Sequence, residues 1–128
     1  MANEYKIKGI FLQVHCNFLF EGSFLHQQNG LLKGKLEDLD GSSDIKGKLD
    51  LENGEMKFIK SYPRRRYPIF YSFEKKRKLW IGSYMGEEIG VGNAQCEIYT
   101  EKPAFDWGQR VLTEKLGQRG EDAWFNDL

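Results

Sequence analysis

Between Gly30 and Tyr84 the chain alternates apolar and charged residues in short runs, each closed by a turn signal. Leu32, Gly34 and Leu36 share one parity, and Lys33, Lys35 and Glu37 the other. Ile45, Gly47, Leu49 and Leu51 repeat the pattern against Lys46, Lys48, Asp50 and Glu52, and Met56 and Phe58 continue it after Asn53-Gly54. Successive side chains of a strand point to opposite faces, so each run presents one apolar and one charged face. A sheet wetted on one side gives this signature. Turn signals fall at Asp40-Gly41, Asn53-Gly54, Pro63 to Pro68 and Lys75 to Lys78. Their spacing, roughly a dozen residues, predicts consecutive antiparallel hairpins and hence an all-β barrel or sandwich.

The flanking segments extend the ladder. Tyr5–Phe11 alternates, and Phe18, Phe20 and Gly22 share one parity in a strand through Cys16–Leu25. Phe70–Phe73 and Leu79–Tyr84 form a more aromatic hairpin, and residues 86–90 turn into a last strand, Val91–Tyr99. Glycines stand inside the strands at Gly34, Gly47, Gly82 and Gly92. A strand glycine marks close backbone approach, a bend, or packing against a large ring. The expectation is a single antiparallel meander closing into a small β-barrel over residues 1–102, with Leu36, Ile45, Leu49, Phe58 and Trp80 in one core. Asn53-Gly54 predicts a type I′ or related tight turn.

After Pro103 the texture changes. Asp106 is placed to cap a helix from about Trp107 to Leu116, with Val111, Leu112 and Leu116 on one face. Residues 103–128 are expected to pack on the barrel as a short helix or ordered tail. Trp124 and Phe125 would anchor the acidic end, on the chain's own barrel or on a partner.

Asp38 and Gly41, then Ile45-Lys46-Gly47-Lys48-Leu49, Phe58-Ile59-Lys60-Ser61-Tyr62, Ile69-Phe70-Tyr71 and Trp80-Ile81-Gly82 form a series that resembles calycin-like and avidin-like barrels. The likeness covers about a third of the chain and implies architecture only. The lipocalin G-x-W signature is missing, and no ligand or binding residue is carried over.

Composition narrows the classes. A chain of 128 residues with 40% hydrophobic residues and a charge of 19 against 19 suits one folded domain rather than disorder. No apolar run reaches the roughly 18 residues of a membrane span, and the N-terminus carries no secretory pattern, so the expected compartment is cytoplasmic. Cys16 and Cys96 read as buried free thiols, with a disulfide or metal pair as the alternative if the first and last strands meet.

Chemical motifs are sparse. His15 and His26 lack ligand spacing, and Cys16 beside His15 faces the other side of its strand. No G-x-S-x-G, P-loop or G-x-G-x-x-G occurs, so no cofactor is called for. Glu37, Asp38, Asp40 and Asp44 read as a hairpin turn whose carboxylates bond the local backbone. No catalytic set converges, and the chain reads as a non-enzyme.

Charge is unevenly spread. Lys57 to Lys78 holds nine basic residues against the single acid Glu74. Arg64, Arg65, Arg66 and Tyr67 lie in one loop, and Lys75, Lys76, Arg77 and Lys78 in the next. Successive turns of a meander emerge at opposite ends, so these loops need not form one patch. The leading expectation is a binding protein that contacts a protein or other acidic macromolecule through these loops together with Trp124 and Phe125. A small apolar ligand in the barrel interior or mouth is the alternative. Weak electrostatic nucleic-acid binding is a second alternative.

Overall fold

The structure, a computed structural model, describes residues 2–13 and 15–111. The alternation predicted from sequence becomes eight strands: β1 (Ala2–Gln13), β2 (Cys16–Gln27), β3 (Leu31–Asp38), β4 (Gly41–Asp50), β5 (Glu55–Ser61), β6 (Ile69–Lys76), β7 (Leu79–Gly86) and β8 (Gly90–Tyr99). Each pairs antiparallel with the next, and β8 returns to β1 through a ladder from Lys6↔Tyr99 to Phe11↔Ala94. The meander is therefore a closed barrel, an architecture consistent with the calycin-like class.

Parity decides what fills it. Ile7, Phe20, Leu36, Ile45, Leu49, Phe58, Tyr71 and Trp80 belong to one buried cluster. All five residues expected to share the core do so. Eight strands leave an interior just wide enough for side chains, and here aromatic rings occupy it. Phe58 stacks on Tyr71 at 5.1 Å, and Tyr71 meets Phe73, Tyr84 and Phe20 at 5.9, 5.8 and 6.4 Å.

Tight coiling accounts for the strand glycines. A Cβ on Gly47 would stand 1.9 Å from the carbonyl oxygen of Lys57, and one on Gly82 1.7 Å from that of Ser72. Gly92 differs, because a Cβ there would meet the Tyr84 ring. Close backbone approach and ring packing thus both operate, at different positions.

The Asn53-Gly54 hairpin is tight, as expected, but it is not of type I′. A type I′ turn requires positive φ at both central residues, but only Gly54 has it, at 70°. The connection runs over residues 51–54 and closes with Gly54 N–H donating to the Asp50 carbonyl at 2.9 Å. Asn53 donates its backbone N–H and its Nδ2 to the Asp50 carboxylate at 3.1 and 2.8 Å. Its side chain holds the turn, and the left-handed backbone falls to the glycine.

Residues 104–111 pack on the outside of the barrel. Asp106 accepts a hydrogen bond from Gln109 N–H at 3.0 Å and so caps helix α1, residues 107–111. Trp107 is buried with Ile10, Leu79 and Ile81 on the outer faces of β1 and β7. The buried Glu97 holds the approach, accepting from Ala104 N–H, Phe105 N–H and Trp107 Nε1–H at 2.9, 3.0 and 2.8 Å. Leu112, Leu116, Trp124 and Phe125 lie outside the described residues.

Phe58 tests the register. It is 2% exposed, so Phe58→Ala is expected to cost about 3–5 kcal/mol in a urea titration. A loss below about 1 kcal/mol would place Phe58 outside the core.

Candidate functional site

The topology separates the two basic loops. The 62–68 loop lies at one end of the barrel with the β1–β2 and β3–β4 turns, while Arg77-Lys78 lies at the other with the 51–54 turn. Arg64, Arg66, Tyr67 and Lys75 to Lys78 are exposed. Several are engaged within the chain. Arg65 Nη2 donates to Asp40 Oδ2 at 2.9 Å, and its guanidinium lies 4.9 Å from the Tyr62 ring centre. Arg66 lies 5.6 Å from the Tyr67 ring and Lys75 6.0 Å from that of Trp80. Lys76 pairs with Glu74 at 3.5 Å.

The thiols also separate. Cys96 is opposite Gly9, whereas Cys16 is opposite Gln13, further along β1. Both are free. Among the described residues no group of three His, Cys, Asp or Glu is arranged to hold a metal ion, and no helix is long and apolar enough to cross a membrane.

Inside the barrel, sequence reasoning missed a convergence. Asp38 does bond its local turn, accepting from Asp40 N–H at 2.8 Å. Its other oxygen accepts from Lys60 Nζ at 2.5 Å and from the Tyr62 hydroxyl. The Lys60 and Asp38 side chains are each 1% exposed. Phe11, Tyr62 and Tyr71 present their rings to the ammonium at 5.1, 4.9 and 5.5 Å. Burial lowers the Lys60 pKa, and the Asp38 carboxylate opposes it. Each charge is occupied by the other, so the trio acts as an internal brace between β3 and β5. The signal in sequence was Lys60 itself, a charge at an apolar parity position.

The outer wall carries a second feature that parity reasoning passed over. Cross-strand pairing sets Ile59 beside Phe70, Phe70 beside Met85 and Met85 beside Val91, so the four form one row across β5 to β8. They are 42%, 47%, 57% and 74% exposed, a continuous apolar band rather than scattered residues. The same row continues from Ile59 to Lys46 and Lys33. Lys48 and Lys57 face each other in the next row. None of Lys33, Lys46, Lys48 and Lys57 forms an ion pair among the described residues. Two shallow grooves, of about 590 and 730 Å³, meet at Lys46, Lys48 and Ile59. Here apolar anchor points adjoin four lysines without ion pairs, with the carboxylates Asp44, Asp50 and Glu55 also lining the grooves.

The internal brace gives two expectations. Asp38→Ala leaves a buried ammonium without its anion and should cost about 3–5 kcal/mol, whereas pairing Asp38→Leu with Lys60→Met should restore most of it. Chemical unfolding of the three variants checks this, and an Asp38→Ala protein of unchanged stability would refute the brace. The second expectation concerns alkaline pH. Burial raises the pKa of Tyr71, and burial with the bond to Asp38 raises that of Tyr62. The folded state keeps phenolic protons that the unfolded chain loses, so this stability is full below the ordinary tyrosine range and is lost as pH rises above it. Lys60, with its lowered pKa, acts in the opposite sense just below the ordinary lysine value, but two phenols outweigh one amine. Unfolding midpoints should therefore fall on the alkaline side, and Tyr71→Phe should flatten the fall. A midpoint that climbs with alkaline pH would contradict this.

Compared with protein-family models, with curated proteins and with solved structures, the chain finds no match in any of the three.

Proposed function

We propose that the chain is a non-enzymatic interaction protein whose outer wall holds an acidic, amphipathic segment of a partner protein. The carrying observation is the exposed row Ile59–Phe70–Met85–Val91, continuous with the unpaired lysines 33, 46, 48 and 57. Apolar anchors beside like charges favour a ligand that brings apolar side chains and carboxylates together. The interior is filled by stacked rings, which supports outward contact over a ligand in the barrel. Three of the four band residues are aliphatic or thioether side chains, a poor platform for stacking bases. That favours protein over nucleic acid. The exposed arginines and lysines at the two ends, Arg64, Arg66 and Lys75 to Lys78, add positive field that steers an acidic partner toward the wall. The free thiols suit a reducing compartment such as the cytoplasm.

A fluorescein-labelled acidic peptide with a paired-aromatic core is the probe. Polarisation should detect binding that weakens between about 50 and 200 mM salt as the lysine contribution is screened. Phe70→Glu and the double change Lys46→Glu/Lys48→Glu should each reduce affinity at least about tenfold. All three positions are exposed, so stability should stay within about 1 kcal/mol of the parent. Parental affinity in both variants would refute the wall as the contact surface. Preferential binding of a single-stranded oligonucleotide or of anionic vesicles would replace the protein partner with that class.

A further inference from the structure

The β2 strand outruns its neighbour. Its ladder with β3 ends at Glu21↔Glu37, yet β2 itself begins at Cys16. Among the described residues, Cys16–Phe20 therefore has a strand on its β1 side only. A groove of about 420 Å³ follows this stretch, lined by Asn17–Glu21 along one side and by Glu37–Leu39 and Val111 around the rest. Consecutive residues of both parities line it, so the groove exposes the edge of the strand and not one of its faces. Closed barrels abolish edges; here one survives.

Two further observations bear on what fits there. Asn17 lines the groove and is 7% exposed, yet neither its Nδ2 nor its Oδ1 has a hydrogen-bond partner. A side-chain amide offers both donors and acceptors, and leaving them unmade in a buried site is costly. A peptide group offers the complementary pair. Glu21 and Glu37 stand directly opposite each other where the ladder stops. Like charges in that relation destabilise a sheet. Glu21 pairs with Lys8 at 3.4 Å, but Glu37 forms no ion pair among the described residues. Leu39, 81% exposed, stands at the rim as an apolar contact without cover.

We propose that the Cys16–Phe20 edge of β2 is a strand-addition site for an extended segment of a partner protein, with alternate apolar residues and a Lys or Arg set against Glu37. Main-chain groups of the segment pair with the open edge, as in other strand-augmented complexes. One peptide group meets the Asn17 amide, apolar side chains cover Leu39 and Val111, and the cation relieves the Glu21–Glu37 opposition. The site is separate from the lysine-flanked wall and of opposite charge preference.

The probe is the capped peptide acetyl-Val-Lys-Val-Lys-Val-amide, titrated to about 1 mM, the range of weak association, into the isotope-labelled full chain. The expected result is saturable change in the backbone amides of residues 16–20 and in the Asn17 side-chain amide. Asn17→Leu should keep or raise the thermal midpoint, because it removes two orphaned polar atoms, while weakening the peptide about tenfold. Glu37→Lys, on an exposed side chain, should shift preference to the matching Glu-containing peptide. Phe70→Glu should leave this binding unchanged. The proposal is overturned if the amides of 16–20 that point away from β1 do not respond, or if those edge-side amides are already protected from exchange without peptide. It is equally overturned if both variants bind as the parent does.

Discussion

Closure of the sheet between β1 and β8 is the constraint on which the rest of the molecule depends. Once the first strand pairs with the last, each side chain has one of two destinations, and every inward one must fit a fixed diameter. Glycines at the tightest approaches and rings elsewhere satisfy that condition together. Placing a Cβ at Gly47 or Gly82 would push a strand off its neighbour. The same closure turns most charged side chains outward, the Asp38–Lys60 pair excepted, and makes the exterior the surface available to partners.

Within that frame the molecule handles charge in three ways. Lys60 and Asp38 are taken inside and matched to each other, with aromatic faces around the ammonium. Glu97 is buried on the outside, where it ties the α1 segment to β8 through three donors. The lysines of the β3–β5 wall are left unmatched beside an apolar row. The first two arrangements stabilise the fold by pairing. The third contributes nothing visible to stability, and that is why it is read as a contact surface.

Much of the fold was legible because period-two alternation survives in each strand. Leu32, Leu36, Ile45, Leu49 and Phe58 point inward as their parity dictates. The brace was not legible, because Asp38 and Lys60 are brought together by strand pairing across β4, and local reading ended at the Asp38 turn. The apolar row escaped for a related reason. Ile59, Phe70, Met85 and Val91 each look like one irregular residue in its own strand, and only the register lines them up. The tight hairpin expected at Asn53-Gly54 is present, but its detailed form was not legible, because Asn53 bonds Asp50 and only Gly54 takes the left-handed backbone. Trp124 and Phe125, expected to anchor a tail, lie outside the described residues.

The central claim is that a closed and filled barrel meets its partner through its outer wall. Methyl-resolved NMR with the acidic aromatic peptide tests it most directly. Ile59, Met85 and Val91 report the wall, while Ile7, Ile45 and Met56 report the interior. The account predicts that the peptide shifts the first set and leaves the second in place. Shifts confined to Ile7, Ile45 and Met56 would put the ligand inside the barrel and contradict it.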